Sequence, residues 1–267
     1  MAREREKYFG EGKKKHTQIK HNICCETLRY SIYIANIFTN KNKWKQKYIY
    51  IDLFAGAGRF EDNSKGSIIL ALDMILSHLN SEKSKVSNNL YFEVIGIEKD
   101  AKTFKQLEEN IKPYRNFIDI NIENSDWEDF KDDIKKKLKN TKWGFIFADP
   151  FATELDLKKF LELVEVSNMQ DFLVFLNINK VLRDLGKTNI SEKEKERIKN
   201  SLKNFLMLDD YEILELESNK NDKEFIRNLI VRKLSGYKDF VIGNPLFSPH
   251  SGVCPHKSSL YFRRHCV

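Results

Sequence analysis

Apolar residues recur along this chain with two periods, and the two alternate. Short unbroken runs rich in β-branched and aromatic residues stand at 48–52, 90–98, 117–122, 143–148 and 171–177. Runs of that length and composition read as buried strands. Between them the apolar positions fall three and four residues apart, the spacing of helices buried along one face. Ile19, Ile23, Leu28, Ile32, Ile34 and Ile37 predict one or two helices over 17–38, ahead of the first strand. Ile68, Leu72, Ile75, Leu76 and Leu79 predict a largely buried helix, and Phe104, Leu107 and Ile111 another. Further helices are expected at 127–138, 155–166 and 223–234. Strand and helix in alternation predict an α/β fold with a mostly parallel sheet and helices on both faces.

The same pattern sets the organisation. Residues 1–46 read as a basic N-terminal tail with helices. Residues 47–267 read as one α/β domain with a polar insertion near 187–206, whose tail is helical at Ile198, Leu202, Phe205 and Leu206. A polar loop carries Lys41, Lys43, Lys45 and Lys47. Residues 211–216 fit either a strand or a helix start. Residues 239–243 and 259–262 are expected to close the sheet as antiparallel strands.

Charge changes the picture in one respect. The 46 basic and 39 acidic residues leave a net +7 and a pI near 9.0. Such a balance favours an acidic partner such as RNA or DNA, or else marks a lysine-rich solvated surface. Arg3, Arg5, Lys7, Lys13, Lys14, Lys15 and Lys20 gather near the start, as a tail or a phosphate-binding strip. No apolar run reaches the ~18 residues that a membrane helix needs. The charged start lacks the apolar core of a signal peptide, so a cytoplasmic protein is expected. Cys24, Cys25, Cys254 and Cys266 match no zinc spacing, even with His256 and His265 beside the last two, and are expected to be reduced thiols.

The chemistry is expected around Asp52-Leu53-Phe54-Ala55-Gly56-Ala57-Gly58, where the first strand runs into two glycines. Glycine there permits a tight turn and lets a ligand approach bare backbone. The dinucleotide fingerprint needs a third glycine where this chain has Glu61, and no Gly-Lys-Ser/Thr phosphate loop is present. Asp52, Phe54, Gly56 and Gly58 instead resemble motif I of the class I S-adenosylmethionine-dependent methyltransferases. The turn reads either as a site for that cofactor or as a packing turn between strand and helix. Ser64 or Ser67 is expected to cap the next helix, with Ser67 either a simple cap or part of an anion site for the methionyl carboxylate.

Glu98 ends the second strand, where a carboxylate can accept from ribose hydroxyls. It stands 40 residues past Gly58, against the usual interval of about 20. Asp126, after the third strand, reads as an acceptor for an adenine amino group or as the cap of the following helix, and Trp127 as a stacking neighbour. Asp149-Pro150-Phe151 follows the fourth strand. Amino-group methyltransferases carry an Asp/Asn/Ser-Pro-Pro-aromatic motif there, whose polar side chain receives the amine and whose aromatic stacks on a flipped base. This chain has one proline where that motif has two. Asp149 is expected to be catalytic, with a helix-start signal as the other reading.

Together these residues resemble a family, the three-Cys-motif partner proteins (TcmP) of bacteria and archaea. The resemblance rests on Lys20-His21, the stretch from Tyr50 through Gly58 to Phe60, Gly66-Ser67, Glu98 and Asp149-Pro150-Phe151, and covers about residues 13–243. It implies a Rossmann-like class I methyltransferase fold, S-adenosylmethionine as cofactor, and coupling to a three-cysteine, radical-enzyme-like partner. Two functional readings follow: a methyltransferase acting on nucleic acid, and a non-catalytic binding module for that partner.

Overall fold

The computed structural model describes residues 15–42, 45–81, 89–151, 155–176, 178–188, 190–220, 222–234 and 258–262. The chain divides into two compact units, Met1–Ala148 with Ser167–Leu173, and Asp149–Val166 with Val174–Val267.

The first unit holds α1 (Lys15–Asn42), β1 (Gln46–Asp52), α2 (Ser67–Asn80), β2 (Leu90–Ile97), α3 (Ala101–Ile111), β3 (Asp119–Glu123), α4 (Lys131–Asn140) and β4 (Trp143–Ala148). β1 pairs in parallel with β2 on one side and β4 on the other, and β2 pairs in parallel with β3. The sheet order is β3-β2-β1-β4-β5, with β6 (Ser258–Phe262) next to β5 (Met169–Leu176). This is a Rossmann-like order, as the family resemblance implies, and its parallel pairing is what the strand–helix alternation predicts. Crossovers between parallel strands are right-handed. The chain steps from β1 outward to β3, then returns past β1 to β4, so α2 and α3 lie on one face of the sheet and α4 on the other. The order reverses beside β1, and ligands of open sheets bind at such a reversal, outside the carboxyl ends of the strands.

The interior explains why β1 is central. Tyr48, Ile49, Tyr50, Ile51 and Asp52 are all fully buried, and so are Phe145, Ile146 and Ala148 of β4. A strand buried on both faces needs a continuous apolar run, and the charge at Asp52 stands out against it. One helix, not two, covers 15–42, and it packs on α2, β1, β2 and β4. Trp127 does not begin a helix. Residues 127–130 form a turn, and α4 starts at Lys131.

The second unit carries α5 (Leu157–Val166), α6 (Ile178–Leu185), α7 (Glu192–Leu206), α8 (Asp210–Ser218) and α9 (Lys223–Leu234). α7 packs on α5, α6 and α8, and α6 on α9. The polar insertion is thus largely α7, which buries Ile198, Leu202, Phe205 and Leu206. Residues 211–216 are helical, fixed by a capping box in which Asp209 and Glu212 exchange side-chain and backbone bonds. The strand expected at 259–262 is present as β6. The one at 239–243 lies outside the described residues, as do residues 1–14, Asn177, Cys254 and Cys266. No described helix is long and apolar enough to cross a membrane.

Candidate functional site

At the carboxyl end of β1 the backbone leaves the sheet through a turn that only glycine makes easily. Gly56 and Gly58 have φ of 61° and 77°, in the left-handed region that costs other residues about 1–2 kcal/mol. Two strand-like bonds steer the exit: Leu53 N–H donates to the Phe147 carbonyl at 3.0 Å, and Ala55 N–H to the Ile97 carbonyl at 2.9 Å. The turn is therefore threaded between the ends of β4 and β2.

Asp52 organises the start of the turn. Its Oδ1 accepts from Phe54 N–H at 3.2 Å, and its Oδ2 accepts from Ser67 Oγ at 2.6 Å and Tyr50 Oη at 3.3 Å. Burial, and next the Asp52 carboxylate, push the Tyr50 phenol well above its ordinary 10.0. Ser67 is the first residue of α2, and the cap position belongs to Gly66, which makes no side-chain cap bond. The serine ties helix to strand through Asp52.

Glu98 organises the other side. Its Oε2 accepts from Gly56 N–H at 3.1 Å and its Oε1 from Asp100 N–H at 2.8 Å. The side chain is buried, and its backbone carbonyl accepts from Asn124 Nδ2 at 2.8 Å, which links the ends of β2 and β3. Asp126 lies just beyond. Its Oδ1 accepts from Glu128 N–H at 3.2 Å, and its Oδ2 stands 3.4 Å from Lys99 Nζ. It closes a local turn and does not cap α4, whose N-cap is Phe130. Trp127 is 2% exposed. The indole Nε1 and Ser125 Oγ are buried without a hydrogen-bond partner among the described residues.

The sequence reading missed the device between the glycines and α2. Residues 59–65 form a miniature hairpin, with Arg59 bridging Lys65 antiparallel and Phe60 N–H donating to the Ser64 carbonyl at 3.0 Å. Gly66 N–H then returns to the Gly58 carbonyl at 2.7 Å. Lys65 Nζ pairs with Asp73 Oδ2 at 2.7 Å, and Tyr114 Oη donates to Asp73 Oδ1 at 2.7 Å. Asn110 Nδ2 donates to the Ala57 carbonyl at 2.8 Å. The hairpin is thus anchored to α2, and the glycine turn before it to α3.

The first unit therefore joins Asp52 to Phe54 and Ser67, and Gly56 to Glu98, while Asp126 sits at the neighbouring strand end. Asp149, Pro150 and Phe151 open the second unit directly after β4, with Pro150 buried and the other two half-buried. Asp149 does not cap α5. Asp156 does so through its Oδ1 and Lys159 N–H at 3.1 Å.

No family model matches the chain, and no curated protein matches it. Solved structures similar to it include a Staphylococcus aureus protein assigned as a caffeoyl-CoA O-methyltransferase, with 10% identity, 92% of this chain and 83% of that one covered, and a TM-score of 0.43. A Clostridium thermocellum protein assigned as an rRNA methylase has 10% identity over 88% of this chain and 96% of its own, with a TM-score of 0.39. A SAM-dependent methyltransferase from Agrobacterium tumefaciens has 9% identity over 72% and 51%, with a TM-score of 0.39. The fold assignment rests on the strand order and parallel pairing.

Proposed function

We propose that this chain binds S-adenosylmethionine at the carboxyl ends of β1, β2 and β3 and methylates a nucleic acid. The carrying observation is the bond from Gly56 N–H to the Glu98 carboxylate at 3.1 Å. It joins a side-chain-free turn to an acid at the tip of the adjacent strand, the pair of features that a nucleoside with a ribose diol requires. A carboxylate oxygen accepts more than one hydrogen bond, so ribose hydroxyls add to the two backbone donors rather than displacing them.

The residues present fit such a ligand. Ser125 and Trp127 flank Asp126 and hold buried donors without a partner among the described residues, and a purine brings ring-nitrogen acceptors. Asp126, with 37% of its side chain exposed, is placed to accept from an exocyclic amine. When bound, S-adenosylmethionine supplies an electrophilic methyl group on a positively charged sulfur. The protein's part is alignment of the acceptor with that carbon at near-attack distance. Asp149 is the proposed group that orients the acceptor and takes its proton, with Pro150 and Phe151 shaping the acceptor's seat. The net +7 charge suits a phosphate-bearing substrate.

The test is methyl transfer from isotopically labelled S-adenosylmethionine to bulk RNA and to DNA, with wild type beside Asp149→Asn and Glu98→Ala. Label entering one polymer with wild type only supports the reading. Binding of the cofactor without transfer to either polymer would favour the binding module for a three-cysteine partner.

A further inference from the structure

α1 is apolar on two opposite faces. Its inner face packs on the sheet: Leu28, Ile32 and Ala35 are buried, Tyr48 Oη donates to Ser31 Oγ at 2.7 Å, and Phe38 meets Trp143 with ring centroids 5.6 Å apart. Its outer face carries Ile19, Ile23, Tyr30, Tyr33, Ile34 and Ile37. At ~100° per residue these fall within about 100° of one another, on the side away from the inner positions. Tyr30, Tyr33 and Ile37 are 53%, 59% and 44% exposed, and the other three partly so. Eight large apolar side chains are exposed among the described residues, and four of them, these three and Phe38, stand within nine residues of α1. Such clustering marks an association surface, which single scattered residues would not.

The stripe is also its own mirror along the helix. Ile23 and Ile37 stand seven residues to either side of Tyr30, a heptad spacing that keeps a seam facing a second helix. Tyr33 and Ile34 stand three and four residues beyond Tyr30, and Thr27 and Glu26 three and four before it. A second α1 laid antiparallel, Tyr30 against Tyr30, therefore sets Ile23 against Ile37 twice. Glu26, the one acidic residue of α1, comes level with Ile34 and beside the Tyr33 hydroxyl of the other copy, so no acid faces an acid. Arg29 already pairs with Glu26 of its own helix at 2.6 Å. A surface complementary to itself about one point is what a two-fold interface requires.

We propose that α1 is the interface of a homodimer, in which two copies of this chain pack antiparallel through this stripe about a two-fold axis at Tyr30. The inference is independent of the cofactor reading. With about 150–250 Å² for a whole aromatic side chain, the exposed parts of the six residues come to about 400 Å² per copy. A total of about 800–1,000 Å², flanking side chains included, lies below the ~1,200 Å² where standard interfaces begin, in the range of concentration-dependent association. A dissociation constant of about 10–100 µM follows.

Sedimentation velocity of the full chain tests it, with wild type expected to pass from monomer to dimer between about 1 and 300 µM. Tyr30→Arg, shown folded by thermal melting, weakens association about tenfold or more. Ile23→Lys alone and Ile37→Glu alone weaken it likewise. The two together place opposite charges across the axis twice and bring association back to within about threefold of wild type, a recovery lost in about 1 M salt. In a parallel pair the same two changes would set like charge against like. If Ile23→Lys does not fold, Thr27→Lys with Tyr33→Glu makes the same test, because residues 27 and 33 are opposed in the same way. Wild type that stays monomeric to about 300 µM overturns the inference and leaves the stripe to a different occupant. A dimer that Tyr30→Arg leaves intact, or a double variant no tighter than the single ones, overturns it as well.

Discussion

Ser67, the first residue of α2, donates its hydroxyl to Oδ2 of Asp52, the last residue of β1, at 2.6 Å. Both are buried, Asp52 completely. A hydrogen bond to a buried carboxylate is among the stronger ones, and losing it leaves the anion short of a donor. The bond also sets where α2 begins, because no side chain caps that helix.

Ser67→Ala is therefore expected to destabilise the fold by about 1–3 kcal/mol. Urea unfolding at neutral pH measures it. Ser67→Thr keeps the hydroxyl and should recover part of the loss. Equal midpoints for wild type and Ser67→Ala would mean that Asp52 does not depend on this donor.

The glycine turn makes a steric prediction. A Cβ on Gly66 would sit 2.9 Å from the Gly58 carbonyl oxygen, and one on Gly58 would meet Ile69 and Leu107 at 3.2 Å while holding φ at +77°. The neighbour of Gly66 is backbone and cannot rotate away. Gly66→Ala and Gly58→Ala are each expected to cost about 1–3 kcal/mol, read as a lowered melting temperature.

The strands and most helices were legible because each announces itself locally. The run from Tyr48 to Ile51 can only be a buried strand, and the helix at 67–80 follows from its apolar spacing. The turn at 127–130 was not legible, because Trp127, Ile134 and Leu138 fall at helical intervals through it. In the fold Trp127 is buried ahead of the helix. The hairpin at 59–65 was hidden for a different reason. All of its residues but Phe60 are polar, and its far strand is held by Lys65 pairing with Asp73 of α2, a partner eight residues on. Asp52, Gly56 and Glu98 were named from the sequence, but that Glu98 grips Gly56 across 42 residues is a property of strand order, which no local pattern carries.

A pH prediction comes from the far side of the sheet. Glu93 of β2 is buried, and its carboxylate meets Lys137 Nζ at 2.5 Å and Lys47 Nζ at 2.8 Å. Burial raises its titration point, but the bonds to Lys137 and Lys47 together outweigh that and hold it below the ordinary 4.5. A carboxyl depressed in the folded state adds stability above the unfolded value and loses it as pH falls through the folded value. Wild type should therefore lose stability below pH 4.5 in part through Glu93. Glu93→Gln should be less stable at pH 7 by about 1–3 kcal/mol, with the gap closing in acid. Unfolding midpoints at pH 7 and below 4 measure it. A gap that stays constant would assign the cost to packing rather than charge.

The most direct test of the cofactor site is calorimetric titration with S-adenosylhomocysteine, wild type beside Glu98→Ala, with both shown folded by thermal melting. The account predicts binding on the order of micromolar in wild type and a loss of about tenfold or more on removing the carboxylate that Gly56 and the ribose would share. Folded wild type that neither releases heat at two temperatures nor gains melting temperature with ligand would contradict it.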